Sequence, residues 1–168
     1  MALPPKPQQQ SQPPPKSSDW KLRSLKRGDR DAAFKLLAAD GWVVPANEQE
    51  LAISWVVQHP EMESFVAHDA ATFSRLFGMI TMSHRPQLRL GGRVACIDLF
   101  LVAPDQRGKG IGHALLAQSL RRAEALGCKR MELSLPQERG EHHAFFEEAG
   151  FVRNDSELYV RPVSSAKP

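Results

Sequence analysis

The sequence has only two cysteines, one tyrosine and no long apolar run, and each shortage excludes a class of protein. Cys96 and Cys128 are far apart and lack neighbours spaced like zinc ligands, so neither a disulfide framework nor a metal site is expected. No apolar stretch is long enough to cross a membrane, and the N-terminus lacks the apolar centre of a signal peptide. These absences predict a cytoplasmic protein with reduced thiols, no metal and no membrane partner.

The chain also has little net charge. Its formal net charge is +3, and its small basic clusters, Arg121-Arg122 and Lys129-Arg130, are interpreted as solvated surface. Nothing resembles the combination of basic and aromatic residues that binds nucleic acids. The sequence therefore predicts no nucleic-acid partner.

The 168 residues fit one domain preceded by a tail. Residues 1–18 consist largely of proline, glutamine and serine, with almost no apolar side chains. Such a segment buries too little surface to offset the entropy cost of ordering. We expect a disordered tail over 1–18, one folded domain over 19–162 and a flexible C-terminus over 163–168.

The pattern of apolar residues predicts an α/β fold. Strand-like runs over 22–25, 64–68, 74–83, 94–102 and 129–135 alternate with helical periodicity. Helices are expected from Asp29 or Asp31 to Ala39, from Asn47 to His59, over 110–126 and over 139–149, and a last strand follows Gly150. Residues 86–92 are expected to form a loop. This order favours a mixed sheet with helices on both faces.

The most informative motif lies between the strand over 94–102 and the helix that follows it. Gly108, Gly110 and Gly112 alternate there with the basic residues Arg107 and Lys109. The first N–H groups of a helix have no internal partner, and the helix dipole adds positive potential at that end. A glycine turn with two cations at a helix start therefore predicts a site for a phosphorylated ligand.

Spacing excludes two common phosphate loops. A Walker loop needs a hydroxyl residue directly after Gly-Lys, but Lys109 is followed by Gly110 and Ile111. A dinucleotide fingerprint that starts at Gly108 needs a glycine where the chain has His113. The remaining pattern is Arg-x-x-Gly-x-Gly.

With Arg107, Gly110 and Gly112 in that spacing, after a strand that ends near Val102-Ala103-Pro104, the sequence resembles the GCN5-related N-acetyltransferase family. The Gly150-Phe151 pair after the last helix also resembles the family. The resemblance implies a mostly antiparallel mixed sheet, the acyl-CoA N-acyltransferase fold, with acetyl-CoA as cosubstrate. It also implies transfer of the acetyl group to a primary amine by direct attack in a ternary complex. Homodimers are common among similar proteins.

The resemblance further implies which residues bind the cosubstrate. Backbone near Leu101 or Val102 would stabilise the oxyanion and bind the pantetheine arm, where the fourth strand separates from the fifth. The glycine loop would hold the pyrophosphate, mainly through main-chain N–H groups. Arg139, where many members have asparagine, would contact the adenine end or a phosphate. The predicted set is Phe100, Leu101, Val102, Arg107, Gly108, Lys109, Gly110, Ile111, Gly112, His113 and Arg139.

Asp98 is the candidate catalytic residue because it is the only acid in its apolar strand. Strand alternation places it on one face with Cys96 and Phe100, surroundings that would raise its pKa by desolvation unless a cation pairs with it. Its distance from Arg107 matches the place where many members of the family carry an acid. Asp98 would act as a base directly or through water, or bind the cationic amine; the structural alternative is a hydrogen-bonded strand acid.

One residue departs from the family pattern. Phe146 stands where many members have a tyrosine that protonates the departing thiolate of CoA. His143 lies three residues earlier on the same helix face and is the candidate substitute, because histidine can donate a proton near neutral pH. Water or another donor is the alternative. The departure also keeps a second function open, a non-catalytic acyl-CoA-binding or regulatory module of the same fold.

The acceptor is not readable beyond a small-molecule or protein amine. Trp42, Trp55 and Phe65 are candidates for lining its pocket, although a core position is the preferred interpretation of all three. Leu51 is also expected to face the core. The segment from Gly41 to Asn47 is a further pocket candidate, since the first two helices shape the acceptor site in similar proteins.

Overall fold

The computed structural model describes residues 19–135 and 140–154, and within them the chain forms a five-stranded sheet in the order β1-β2-β3-β4-β5. The first four strands pair with one another in antiparallel fashion, and β5 is parallel to β4. The strands are β1 (Trp20–Ser24), β2 (Met62–Asp69), β3 (Leu76–Gln87), β4 (Gly92–Val102) and β5 (Cys128–Leu133). The predicted mixed, mostly antiparallel sheet is confirmed.

The described residues also form four α-helices, as the periodicity predicts: α1 (Arg30–Ala39), α2 (Ala46–Gln58), α3 (Ile111–Ala125) and α4 (Gly140–Glu148). Helix α2 ends before His59-Pro60, because a residue that precedes proline avoids the helical conformation. Helix α3 is followed by Gly127, whose φ of 72° is the left-handed conformation that commonly ends helices.

Helices cover both faces of the sheet. Val66, Met79 and Leu101, on three adjacent strands, pack with buried residues of α1 and α2. Gly78 is next to Met79 in β3 and therefore points to the opposite face, where it meets Ile111 and Leu115 of α3. The predicted placement of helices on both faces is confirmed.

Gly78 allows α3 to lie close to the sheet. A Cβ atom at this position would lie 3.0 Å from the Ile111 Cγ2, the Leu115 Cδ1 and the Leu101 carbonyl oxygen. These distances are shorter than ordinary contacts between carbon atoms. The missing side chain thus sets the distance between the sheet and the first turns of α3.

Two details of the predicted elements are wrong. The expected loop over 86–92 is shorter, because β3 continues to Gln87, where it pairs with Gly92 at the start of β4. On α2, Leu51 and Trp55 do not face the core, since they are 54% and 65% exposed. Ile53 of the same helix is buried, whereas Leu51 and Trp55, one turn apart, lie on the exposed side.

The chain divides into two compact units between Leu133 and Ser134. In the second unit, α4 ends at Glu148 and is followed by Gly150, whose φ is 89°; the Phe151 N–H donates to the Phe146 carbonyl at 2.9 Å. Residues 151–154 form no strand, and the rest of the predicted last strand lies outside the described residues, as do the predicted tail over 1–18 and C-terminus over 163–168. No helix among the described residues has both the length and the apolar character needed to cross a membrane.

Candidate functional site

The glycine loop leads directly into the N-terminus of α3. Gly108 and Gly110 have φ values of 75° and 78°, which favour glycine because a Cβ atom is strained there. Gly110 is the N-cap and offers no side chain to the helix. The Ala114 N–H makes the first helical bond, to the Gly110 carbonyl at 3.0 Å. The N–H groups of Ile111 and Gly112 precede that bond and suit an anion.

Two side chains add positive charge to this loop. Arg107 is 53% exposed and its Nε donates to the Val102 carbonyl at 3.4 Å, while its guanidinium also lies 3.6 Å from an Asp40 carboxylate oxygen. The Lys109 Nζ donates to the Gln106 Oε1 at 2.9 Å. Both cations therefore stay beside the loop and are accessible from solvent.

The acidic residue of the loop is neutralised by a neighbour. Arg75 donates to both carboxylate oxygens of Asp105, at 2.7 and 2.8 Å. The pKa of Asp105 is lowered, first by a hydrogen bond from Gln106 and then by Arg75. Because Arg75 neutralises most of its charge, Asp105 weakens the positive potential of Arg107 and Lys109 only slightly.

Strand β4 separates from β5 before it reaches the loop. The parallel pairing runs from Arg93 with Cys128 to Ile97 with Leu133, whereas β4 continues to Val102. The Ala103 N–H donates toward β3, to the Phe77 carbonyl at 2.8 Å. Since alternate residues of a strand point their N–H groups the same way, the Val102 N–H points away from β3, toward the side on which β5 has separated.

The other two predicted residues of this strand segment have different surroundings. Leu101 is buried on the face covered by α1 and α2, and its N–H points to β3. Phe100 is partly buried and pairs with Ile80. Of the predicted oxyanion positions, the geometry thus favours the Val102 N–H over that of Leu101.

Asp98 is the additional residue of a β-bulge. In the pairing of β3 with β4, Thr81 lies opposite Leu99 and Met82 lies opposite Ile97, so that Asp98 has no residue opposite it. A bulge of this kind reverses the alternation of a strand and redirects the side chain at its centre. The sequence shows the acid but not the bulge, because the bulge depends on the partner strand.

The bulge corrects the predicted face of Phe100. Cys96 lies opposite Ser83, on the face covered by α1 and α2, and Asp98 contacts Ser83 as well. Phe100 lies opposite Ile80, which alternation places with Gly78 on the α3 face. Asp98 therefore shares its surroundings with Cys96, as predicted, but not with Phe100.

The environment of Asp98 makes it a better base than an ordinary aspartate. Its side chain reaches solvent, yet neighbouring protein removes enough water to raise its pKa. Hydrogen bonds from Ser83 oppose that rise, and the Ser83 Oγ lies 3.1 Å from the Asp98 Oδ1. Ser83 was not among the predicted site residues, and no sequence pattern marks it, because the contact arises only from the register of two strands.

The residues of α4 are described within their own unit. Phe146 is buried and packs edge-on against Phe145 and Phe151, with ring centroids 5.1 and 5.4 Å apart. His143 lies one turn earlier and is partly buried. Arg139, predicted to contact the cosubstrate, lies outside the described residues.

The aromatic candidates for the acceptor pocket differ in their exposure. Phe65 is buried, in agreement with the preferred interpretation. The same interpretation is wrong for Trp42 and Trp55, which are 58% and 65% exposed. Trp42 lies in the connection between α1 and α2, so an aromatic ring is accessible within the segment from Gly41 to Asn47.

The site is thus a strand, an anion-binding loop and a helix start, with an acid in a bulge just before them. In the described part of the chain, no three His, Cys, Asp or Glu side chains come together as a metal site. These features are typical of α/β proteins that bind a phosphorylated ligand by backbone N–H groups at a helix start.

Comparisons with known proteins identify the family within that class. The profile of the acetyltransferase (GNAT) family matches residues 30–151. This chain belongs to the acetyltransferase (GNAT) family. A search of curated protein sequences found no match.

Solved structures share the fold at low sequence identity. A ribosomal-protein-alanine N-acetyltransferase from Brucella melitensis biovar Abortus 2308 is 21% identical over 86% of this chain and 99% of that chain, with a TM-score of 0.69. The glucosamine-6-phosphate N-acetyltransferase of Arabidopsis thaliana is 19% identical over 88% and 100%, with a TM-score of 0.72. AAC(6')-Iy, in complex with the bisubstrate analogue CoA-S-monomethyl-acetylneamine, is 17% identical over 88% and 100%, with a TM-score of 0.74.

Proposed function

We propose that this protein transfers an acetyl group from acetyl-CoA to a primary amine, by direct attack in a ternary complex. The observation that carries the proposal is that one strand, β4, supplies both a partly desolvated carboxylate at Asp98 and the lead into the glycine loop at the start of α3. A thioester bound along that strand and loop brings an activated acyl group near the carboxylate.

The loop fits the phosphates of the proposed cosubstrate. A diphosphate carries negative charge that the N–H groups of Ile111 and Gly112 and the side chains of Arg107 and Lys109 are suited to hold. The Val102 N–H, on the side away from β3, is the proposed donor to the thioester oxygen as negative charge develops there. A donor held in place by a strand needs no reorganisation during the reaction.

Asp98 is the proposed acceptor-activating group. An amine must be neutral to attack, and near neutral pH most primary amines carry a proton. The Asp98 carboxylate is suited to take that proton, directly or through a water molecule, and to attract the cationic amine beforehand. Its raised pKa favours proton transfer, because a general base is most effective when its pKa lies near the pH at which the reaction runs.

The departing thiolate needs a proton or a stabilising charge, and Phe146 has no proton to donate. His143 is the proposed donor, because a protonated imidazole can donate a proton and His143 lies three residues before Phe146 on the same helix face. The phenylalanine also favours the second candidate function, a non-catalytic acyl-CoA-binding module. The two functions differ in turnover and not in binding.

The test is calorimetric titration with acetyl-CoA, with ADP and NAD as controls, followed by a screen of amines with detection of released thiol. We expect selective binding of acetyl-CoA and thiol release with at least one small-molecule or protein amine. Selective binding without thiol release from any amine supports the non-catalytic module. If a folded sample does not bind acetyl-CoA, both functions are wrong.

A further inference from the structure

The carboxylate of Asp98 is held by a residue of the neighbouring strand. The Ser83 Oγ lies 3.1 Å from the Asp98 Oδ1. A carboxylate accepts hydrogen bonds only, so the Ser83 hydroxyl is the donor. This bond fixes Oδ1 relative to β3.

Asp98 needs such support because of the bulge. A strand residue in regular pairing has a residue opposite it that restricts its side chain. Asp98 has no such partner, because Leu99 and Ile97 on either side of it pair with Thr81 and Met82. Its side chain is also exposed, so core packing does not fix its rotamer. The hydrogen bond from the Ser83 hydroxyl restricts the Asp98 side chain instead.

We propose that Ser83 is a positioning residue for the acetyl transfer: it holds the Oδ1 of Asp98 and leaves the Oδ2 to receive the proton of the acceptor amine. This inference rests on the proposed function, because it requires Asp98 to handle that proton. Ser83 itself touches neither the acceptor nor the acyl group in this scheme. It limits the orientations of the carboxylate to those that keep Oδ2 available.

Other charged groups near this pair are few, and each comes from a different element. Burial raises the pKa of the Cys96 thiol most. Asp98 and Glu132 of β5 raise this pKa further, whereas Arg85 of β3 lowers it. Glu132 is itself paired with Arg130. The Asp98 carboxylate forms no ion pair within the described residues, so the Ser83 bonds are the contacts that favour its charged form.

The test compares Ser83→Ala, which removes the hydroxyl, with Ser83→Thr, which keeps it on a strand-compatible side chain. Ser24→Ala, at an exposed position of β1, is the matched control. We expect Ser83→Ala to shift the acidic limb of the pH profile of kcat/KM to higher pH and to lower kcat/KM below that limb about tenfold. The KM for acetyl-CoA should not change. In Ser83→Thr and in Ser24→Ala, the acidic limb should lie at the same pH as in the wild type.

A second measurement does not depend on activity. Carbon-13 NMR of labelled aspartate carboxyl groups follows the titration of Asp98, assigned with Asp98→Asn. A higher pKa of Asp98 in Ser83→Ala than in Ser83→Thr supports the inference. Equal pKa values and equal pH profiles in both variants would overturn it.

Failure of the inference and failure of the proposed function give different results. If Asp98→Asn abolishes the acidic limb but Ser83→Ala leaves it unchanged, the function stands and the role of Ser83 is wrong. If Asp98→Asn keeps the full rate and the limb, Asp98 is not the base, and the inference fails with it. A thermal melt of each variant confirms that the compared samples are folded.

Discussion

At the scale of single residues, the proposed chemistry depends on the carboxylate of Asp98, whose pKa is raised by partial desolvation. Asp98→Asn keeps the shape of the side chain and removes its charge and basicity. We expect kcat/KM to fall by about 10² to 10⁴, the usual contribution of a general base. Acetyl-CoA affinity should stay within about twofold of the wild type, because the phosphates are held by the loop.

The pH dependence follows from the same residue. The proposed reaction requires the carboxylate form of Asp98, so the rate is expected to rise as pH increases through the pKa of this residue. Because that pKa is raised, the acidic limb should lie at higher pH than an ordinary aspartate would give. The acidic limb should be missing in Asp98→Asn. Steady-state kinetics over a range of pH measure the position of the limb in the wild type and its loss in the variant. A variant that kept the full rate at every pH would show that another group accepts the proton.

Asp98 also shows where residue-level prediction from sequence ends. A single acid in an apolar strand is visible in the sequence, and so is its distance from Arg107. Its bulge and its contact with Ser83 are not, because both depend on how β3 aligns with β4. Pairing between strands distant in sequence leaves no periodic signal in either strand.

At the scale of elements, the packing of α3 on β3 depends on the absence of a side chain at Gly78. In Gly78→Ala the new methyl group would meet Ile111, Leu115 and the Leu101 carbonyl at 3.0 Å. We expect a loss of about 1–3 kcal/mol in the free energy of unfolding, the usual cost of overpacking. We also expect weaker acetyl-CoA binding, because the N-terminus of α3 must move outward. Denaturant melts and calorimetry measure the two effects.

Gly92→Ala is the matched control for this substitution. Its new methyl group would approach Lys129 Cγ at 2.7 Å, so the exposed Lys129 side chain must move. Gly92 begins β4, at the end of the strand away from the glycine loop, so this substitution should leave acetyl-CoA affinity unchanged. If Gly78→Ala behaves like Gly92→Ala, the close approach of α3 is not needed for the site.

Most element boundaries were predictable because their signals are local. The glycine loop, Gly127 and the apolar period of α3 lie within one stretch of chain, and the structure places α3 within one residue of the prediction at each end. The faces of α2 were harder to predict. Leu51, Ile53, Trp55 and Val56 are apolar on several sides of the helix, so the pattern does not show which of them the sheet covers.

At the scale of the whole molecule, stability should depend on a buried histidine remote from the loop. His84 is 4% exposed, and an Arg93 nitrogen lies 2.6 Å from its Nδ1. Arginine only donates hydrogen bonds, so Nδ1 accepts and the ring is neutral. The pKa of His84 is lowered, first by burial and then by Arg93; Glu63 and Glu61 oppose the shift, and Arg122 adds to it.

The sign of the effect follows from the lowered pKa. The unfolded chain binds a proton at His84 more readily than the folded protein, so acid favours unfolding. The stabilisation is complete above the ordinary range of histidine and is lost as pH falls through it. We expect the free energy of unfolding to decrease from about pH 7 to about pH 5, with a slope of at most about 1.4 kcal/mol per pH unit from this residue.

His84→Gln should flatten that slope, because glutamine has no proton to gain. His59→Gln, at an exposed histidine, is the control and should keep the wild-type slope. Urea melts at a series of pH values provide the measurement. A slope that is the same in wild type and His84→Gln would assign the acid sensitivity to other groups.

The bulge at Asp98 also changes which face of the sheet the odd-numbered residues of β4 occupy. Before it, Ala95 belongs to the core beneath α3; after it, Leu99 and Leu101 pack beneath α1 and α2, although all three positions are odd-numbered. Deleting Asp98 would let Ile97 and Leu99 pair with Met82 and Thr81 as neighbours in a regular strand, so every later side chain of β4 would keep its face. Strand β4 is therefore one residue longer than its pairing with β3 requires, and that residue is the acid.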